Sequence, residues 1–248
     1  MPERTDRMPE AAPLVHEVPE SLKPTLDGPR FADLTKETIT SLAESGWERF
    51  GVVAIVINPQ GEILTVTHGK GYSKVPEGTM GVLSETMHYT QRDGEVTVEQ
   101  IDAALSRLFT EECGVSETEI SQLNEKGSLQ AAKHGAWEPV SFPLSNGRFI
   151  LGLVVALRAD EYAANILSRK NSGFVPTDAI KHATFVRPEP LAAENHPIAS
   201  VFRVGTPDLI RAALEKMTSP EDFLPLMLPP PQTPPLNSVE NLSELRRT

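Results

Sequence analysis

Apolar residues fall along this chain in short blocks that switch between strand-like and helical spacing. Residues 51–67, GVVAIVINPQGEILTVT, hold two runs rich in β-branched side chains, separated by Asn58, Pro59, Gln60 and Gly61. That pattern predicts a hairpin. A passage containing Gly69, Gly71, Gly78 and Gly81 follows and predicts a loop. Next, residues 97–113 predict the best helix of the chain: a threonine opens it, Ile101, Ala104, Leu105 and Leu108 form an apolar stripe, and Gly114 stops it. Further strands are expected at residues 137–142 and 148–157. Further helices are expected over residues 35–46 and 208–217, where Leu209, Ala212 and Ala213 repeat at helical spacing. There is no internal repeat.

Both ends are rich in proline. Pro2, Pro9, Pro13, Pro19, Pro24 and Pro29 mark an extended arm, and the stretch from Pro220 to Pro235 suits polyproline II rather than a helix interior or central strand. Recruitment of a proline-recognising partner is one use for such a tail, and packing on the domain another. The expected division is an extension over residues 1–44, a domain over 45–205, and a helix with a proline-rich tail over 206–248.

Composition narrows the function. The 248 residues carry 34 acidic and 23 basic side chains, a formal charge of -11, which repels nucleic-acid polymers and anionic membranes. No apolar run is long enough to span a bilayer, and the first residues lack the apolar segment of a signal peptide, so the expected location is cytoplasmic. Cys113 is the single cysteine, which excludes an intramolecular disulfide. Acidic though it is, such a protein can act on a phosphorylated small molecule if bound cations neutralise the ligand locally.

The candidate chemistry sits at the end of the predicted helix, in Arg107-Leu-Phe-Thr-Glu111-Glu112-Cys-Gly114-Val115. Adjacent glutamates there oppose the negative pole of the helix dipole and invite a compensating cation. Arg107 and Glu111 share a face, while Glu112 lies over Leu108. Magnesium takes oxygen ligands, commonly one or two carboxylates plus phosphate oxygens, and this pair suits it. A solvated acidic helix end with an Arg107 to Glu111 ion pair is the plainer reading of the same residues. Cys113, beside two glutamates, is a poor thiolate and reads as buried or inert. Ser84, Glu85 and His88 are near in sequence but define no triad, His134, His182 and His196 are scattered, and Trp137 reads as core.

Residues 107–115 resemble the second half of the Nudix box. The hairpin at 51–67, the VPEGTMG segment in the place of the proline-glycine-glycine turn, and the later strands follow in the order of that family over about residues 50–190. The resemblance implies an α/β fold, a Nudix-like α/β/α sandwich with a mixed sheet. It further implies metal-dependent hydrolysis of a nucleoside diphosphate linked to another moiety. Mg2+ or Mn2+ would be the cofactor, with a phosphorylated, nucleotide-like small molecule as partner, and a homodimer is compatible with it. Arg107, Glu111 and Glu112 would be the catalytic group, Glu111 and Glu112 the metal ligands, and Gly78 part of the substrate-binding loop.

Two departures stand out. Leu108 occupies the position of a metal-associated glutamate, and 28 residues separate Gly78 from Arg107, about twice the family interval. Glu99, eight positions before Arg107, matches the upstream glutamate by spacing and is a metal candidate; Asp93 then takes the place of the glycine, which Gly94 misses by one. Glu85 and His88, in the inserted passage, are candidate substitute ligands. The alternative is a catalytically inactive Nudix-fold ligand-binding or protein-interaction module.

Overall fold

The computed structural model describes residues 44–71, 76–92, 95–132, 138–143, 149–168, 180–188, 210, 223–233 and 238–239. Its strands are β1 (Trp47–Ile57), β2 (Ile63–His68), β3 (Met80–Gly81), β4 (Leu83–Thr86), β5 (Tyr89–Arg92), β6 (Glu95–Val98), β7 (Leu129–Ala132), β8 (Glu138–Pro143), β9 (Phe149–Ala159), β10 (Ile180–Val186), β11 (Phe223–Pro225) and β12 (Ser238–Val239). Helices α1 (Ile101–Cys113) and α2 (Glu117–Lys126) lie between β6 and β7, and α3 (Glu161–Ser168) follows β9.

The chain is α/β. Among the described residues, nine strands form a mixed sheet in the order β10-β2-β1-β9-β7-β11, with β3 on β2, β4 on β1 and β8 on β9. Strand β1 is its centre, pairing in parallel with β9 and antiparallel with β4 and β2. A central strand covered on both faces needs an unbroken apolar run, and VVAIVI supplies one. Val52, Ala54 and Val56 face a core shared with α1, α2 and α3, whereas Val53 and Ile55 face a second core that includes Ile210, a helical residue. Burial on both faces is what the sandwich expectation requires.

The hairpin between β1 and β2 forms as expected. Gly61 adopts φ 77, and the buried Asn58 organises the turn: its Oδ1 accepts from the N–H groups of Gln60 (3.0 Å) and Glu62 (2.8 Å), and its Nδ2 donates to Glu62 Oε2 at 2.9 Å. Asn58→Ala should therefore cost about 1–2 kcal/mol in urea unfolding, from the orphaned N–H groups.

Other expectations need revision. The helix starts at Ile101, not at residue 97, because Val96, Thr97 and Val98 pair with Gln91, Thr90 and Tyr89 as strand β6. Those β-branched residues fit a pleated edge better than a first helical turn. The passage expected as a glycine-rich loop carries β3 and β4, and the inserted segment carries β5 and β6. The helix expected over residues 35–46 lies outside the described residues except for its last three, of which Glu44 is helical and Gly46 adopts φ 94. The arm over residues 1–43 lies outside the described residues, as does the helix at 208–217 apart from Ile210. The proline-rich tail is packed: β11 joins the main sheet at its edge, on β7, and β12 joins β5.

Candidate functional site around Arg107

Helix α1 is held by its apolar stripe. Ile101, Ala104, Leu105, Leu108, Phe109 and Cys113 are all buried, and Gly114, at φ 65, closes the helix with its N–H donating to the Phe109 carbonyl. Leu108 is completely enclosed in the main core, the packing role its apolar stripe predicts. No basic residue occupies the last turn to offset the helix dipole at Glu111 and Glu112.

Compensation comes from Arg107, which is only 5% exposed. Its Nε donates to Glu99 Oε1 at 3.2 Å and its Nη2 to Glu99 Oε2 at 3.0 Å, a two-pronged pairing. Nη2 also reaches the Thr86 carbonyl at 2.6 Å, and Nη1 lies 3.1 Å from Glu85 Oε1. Glu111, the partner expected from helical spacing, stands farther off at 3.9 Å. The expected pair is thus present but is the longest of the ion pairs of a buried guanidinium, which gathers carboxylates from strand β4, the segment before α1 and the end of α1. Burial by itself would lower the pKa of Arg107, but the hydrogen bond and charge of Glu99, with those of Glu85, outweigh it and raise the pKa.

Each carboxylate has a distinct position. Glu99 is tied down further, since its Oε2 accepts the His88 N–H at 3.0 Å while its own N–H donates to the His88 carbonyl at 2.9 Å. Glu85 accepts the Thr86 N–H at 2.9 Å through the oxygen that faces Arg107. A side chain at Gly51, on the neighbouring strand β1, would place its Cβ 3.1 Å from the Glu85 carbonyl oxygen, so glycine allows β4 this close approach. Glu111 is 54% exposed and opens to solvent. Its pKa is raised, first by partial burial and then by the charge of Glu85, while Arg107 pulls it down. Glu112 is half-buried with its Oε2 enclosed.

This donor set fits one kind of cation. Glu85 and Glu111 both approach Arg107 Nη1, and two carboxylates suit an ion that keeps most of its waters and takes its other ligands from phosphate. Glu99 has both oxygens engaged by Arg107. Among the described residues no group of three or more His, Cys, Asp or Glu side chains is arranged to enclose a metal.

The side chains of the remaining candidates have other surroundings. Gly78, at φ 86, belongs to the turn between β2 and β3, where its N–H donates to the His68 carbonyl. His88 turns its Nδ1 to the Ser238 hydroxyl at 3.3 Å, and His182 is exposed on β10. His134, His196 and Trp137 lie outside the described residues.

No protein-family model matches the chain, and no curated protein matches it in sequence. Solved structures do resemble it. The MutT protein of Methanosarcina mazei Go1 is 14% identical with a TM-score of 0.40, over 69% of this chain and 96% of that one. A C. elegans Ap4A hydrolase binary complex is 10% identical with a TM-score of 0.42, over 67% and 96% of the two chains. The Nudix domain of Shewanella oneidensis NrtR, complexed with ADP ribose, is 12% identical with a TM-score of 0.40, over 69% and 89%. Each of the three is a likeness in fold alone.

Set against the Nudix pattern, the residue hardest to place from sequence was Glu85. Its spacing matches nothing in the box, and it comes to Arg107 only because β4 pairs with β1. Glu99 carried a readable signal, its eight-residue interval to Arg107. Ser238 and the tail around it carried none.

Proposed function

We propose that the chain is a Nudix-type hydrolase of a diphosphate linked to another moiety, often a nucleoside. The observation that supports this best is the buried Arg107 holding Glu99 and Glu85 beside the Glu111 and Glu112 end of α1. One or two of Glu85, Glu111 and Glu112 would hold Mg2+ or Mn2+ together with phosphate oxygens of the ligand, and Arg107 with Glu99 would fix their positions. Bound there, the ion supplies polarisation of phosphoryl oxygens and a lowered pKa for a water. Glu111 is the carboxylate of this group most open to solvent, from which a ligand would approach. Arg107 contributes no donor to substrate, since its guanidinium is already engaged and enclosed. Gly78 and its turn would contribute to ligand entry, and the acidic surface favours a small ligand over a nucleic-acid polymer. A cytoplasmic location and a homodimer belong to the same reading; among the described residues no helix is long and apolar enough to cross a membrane.

The test is release of phosphate-containing products from nucleoside diphosphate conjugates and triphosphates with magnesium, manganese or chelator. Chelator-sensitive turnover is expected, reduced at least about 100-fold in Glu112→Gln. One observation favours a second reading, a Nudix-fold binding module without turnover: Leu108 is sealed in the core where the family pattern has a glutamate. Ligand binding without product release in the same panel would select it.

A further inference from the structure

Described residues of the tail contact α1, which carries Arg107, and His88, whose backbone holds Glu99. Strand β11 extends the sheet on β7, with Phe223, Leu224 and Pro225 opposite Ala132, Ala131 and Gln130. Leu226 and Leu228 then sink into the main core. The backbone there is met group by group: the Leu226 N–H donates to the Leu129 carbonyl at 2.9 Å, and the Asn124 carboxamide clasps Leu228 at 2.9 Å and 2.7 Å. Pro225, Pro229, Pro230 and Pro231 bring no N–H to satisfy, and their fixed φ lowers the entropy lost on ordering. A proline-rich segment can therefore lie flat on a domain without forming a regular element of its own.

Two contacts reach the site's supports. The Ser106 hydroxyl, next to Arg107 on α1, donates to the Pro229 carbonyl at 2.7 Å. Farther along, Ser238 and Val239 pair with Thr90 and Tyr89 of β5, and the Ser238 hydroxyl sits 3.3 Å from His88 Nδ1. His88 is the residue whose backbone N–H and carbonyl bracket Glu99. Strand β5 is fixed from its other side as well, because the buried Tyr89 hydroxyl accepts the Phe50 N–H at 2.8 Å and the two rings meet edge to face.

We propose that residues 223–233 and 238–239 form a positioning strap that holds α1 and the His88 corner in register, and thereby keeps Arg107 on Glu99 and Glu85. Ser106 bonds the Pro229 carbonyl and Ser238 meets His88, so both act on the site through another group and are positioning residues. Its effect on turnover rests on the hydrolase reading above, but its effect on the register does not.

Hydrogen exchange on the labelled full-length protein tests it. Ser238→Pro should lower protection of the His88 and Glu99 amides at least tenfold and leave the Ala54 amide unchanged, while Ser238→Thr, which keeps the hydroxyl, restores protection. Ser106→Ala should loosen the Arg107 Nε–H in the same way. In an active protein, kcat should fall about tenfold in Ser238→Pro with KM unchanged. Unchanged protection, a loss shared equally by Ala54, or an unaltered kcat in an active protein overturns the proposal. Absence of turnover in the unsubstituted protein retires the hydrolase reading instead, and the exchange measurements still decide the strap.

Discussion

Replacing Arg107 by methionine should destabilise the protein by about 3–5 kcal/mol, read as a drop in the urea midpoint. Methionine keeps much of the buried volume, so the loss isolates charge and hydrogen bonding from packing. What remains is Glu99 at 16% exposure and Glu85 at 19%, two carboxylates that lose their shared cation while Glu111 stands nearby. The Thr86 carbonyl loses its donor too. Such breakage costs more than the intact network contributes, because the penalty is an uncompensated charge away from bulk water. Lysine would not substitute well, since a single ammonium lacks the fork that meets both oxygens of Glu99.

Leu108→Glu, which introduces the glutamate of the pattern that residues 107–115 resemble, should lower metal-free stability by about 3–5 kcal/mol. Leu108 has no exposed surface and touches the core through the same stripe as Ile101 and Leu105. A carboxylate there either ionises without a partner or is neutralised at a cost in free energy. If Glu112, one turn on, faces a cation, manganese should raise the melting temperature of this variant by more than it raises that of the unsubstituted protein. Calorimetry with chelator and with manganese measures both effects. A melting temperature that manganese leaves unchanged in both proteins would count against a metal at this end of α1.

What could be read from sequence was mainly local. The β1–β2 hairpin is written in two β-branched runs and an Asn-Pro-Gln-Gly turn, and its Asn58 does what asparagine does in turns. The body of α1 and its Gly114 stop were equally readable. Its start was not, because a threonine that can open a helix also suits a strand, and Thr97 pairs with Thr90 of β5. The same limit applies to the site. Arg107 and Glu99 are related by spacing, whereas Glu85 joins them through pairing of β4 with β1, and Ser238 through a tail that sequence patterning assigned to no surface. Helical spacing also favoured Glu111 as the arginine's partner, because it counts neighbours on one helix and cannot count a carboxylate arriving from another element.

The parallel pairing of β1 with β9 sets the order in which this protein can assemble. Ile57 lies opposite Arg158, so the centre of the sheet closes only after about a hundred intervening residues have been gathered in. Until then the VVAIVI edge of β1 is open on that side, with the strand chemistry that recruits other chains. Refolding should therefore be slow for a protein of this size and increasingly lossy with concentration, and a newly made chain would gain from a chaperone that shelters β1 until β9 is made.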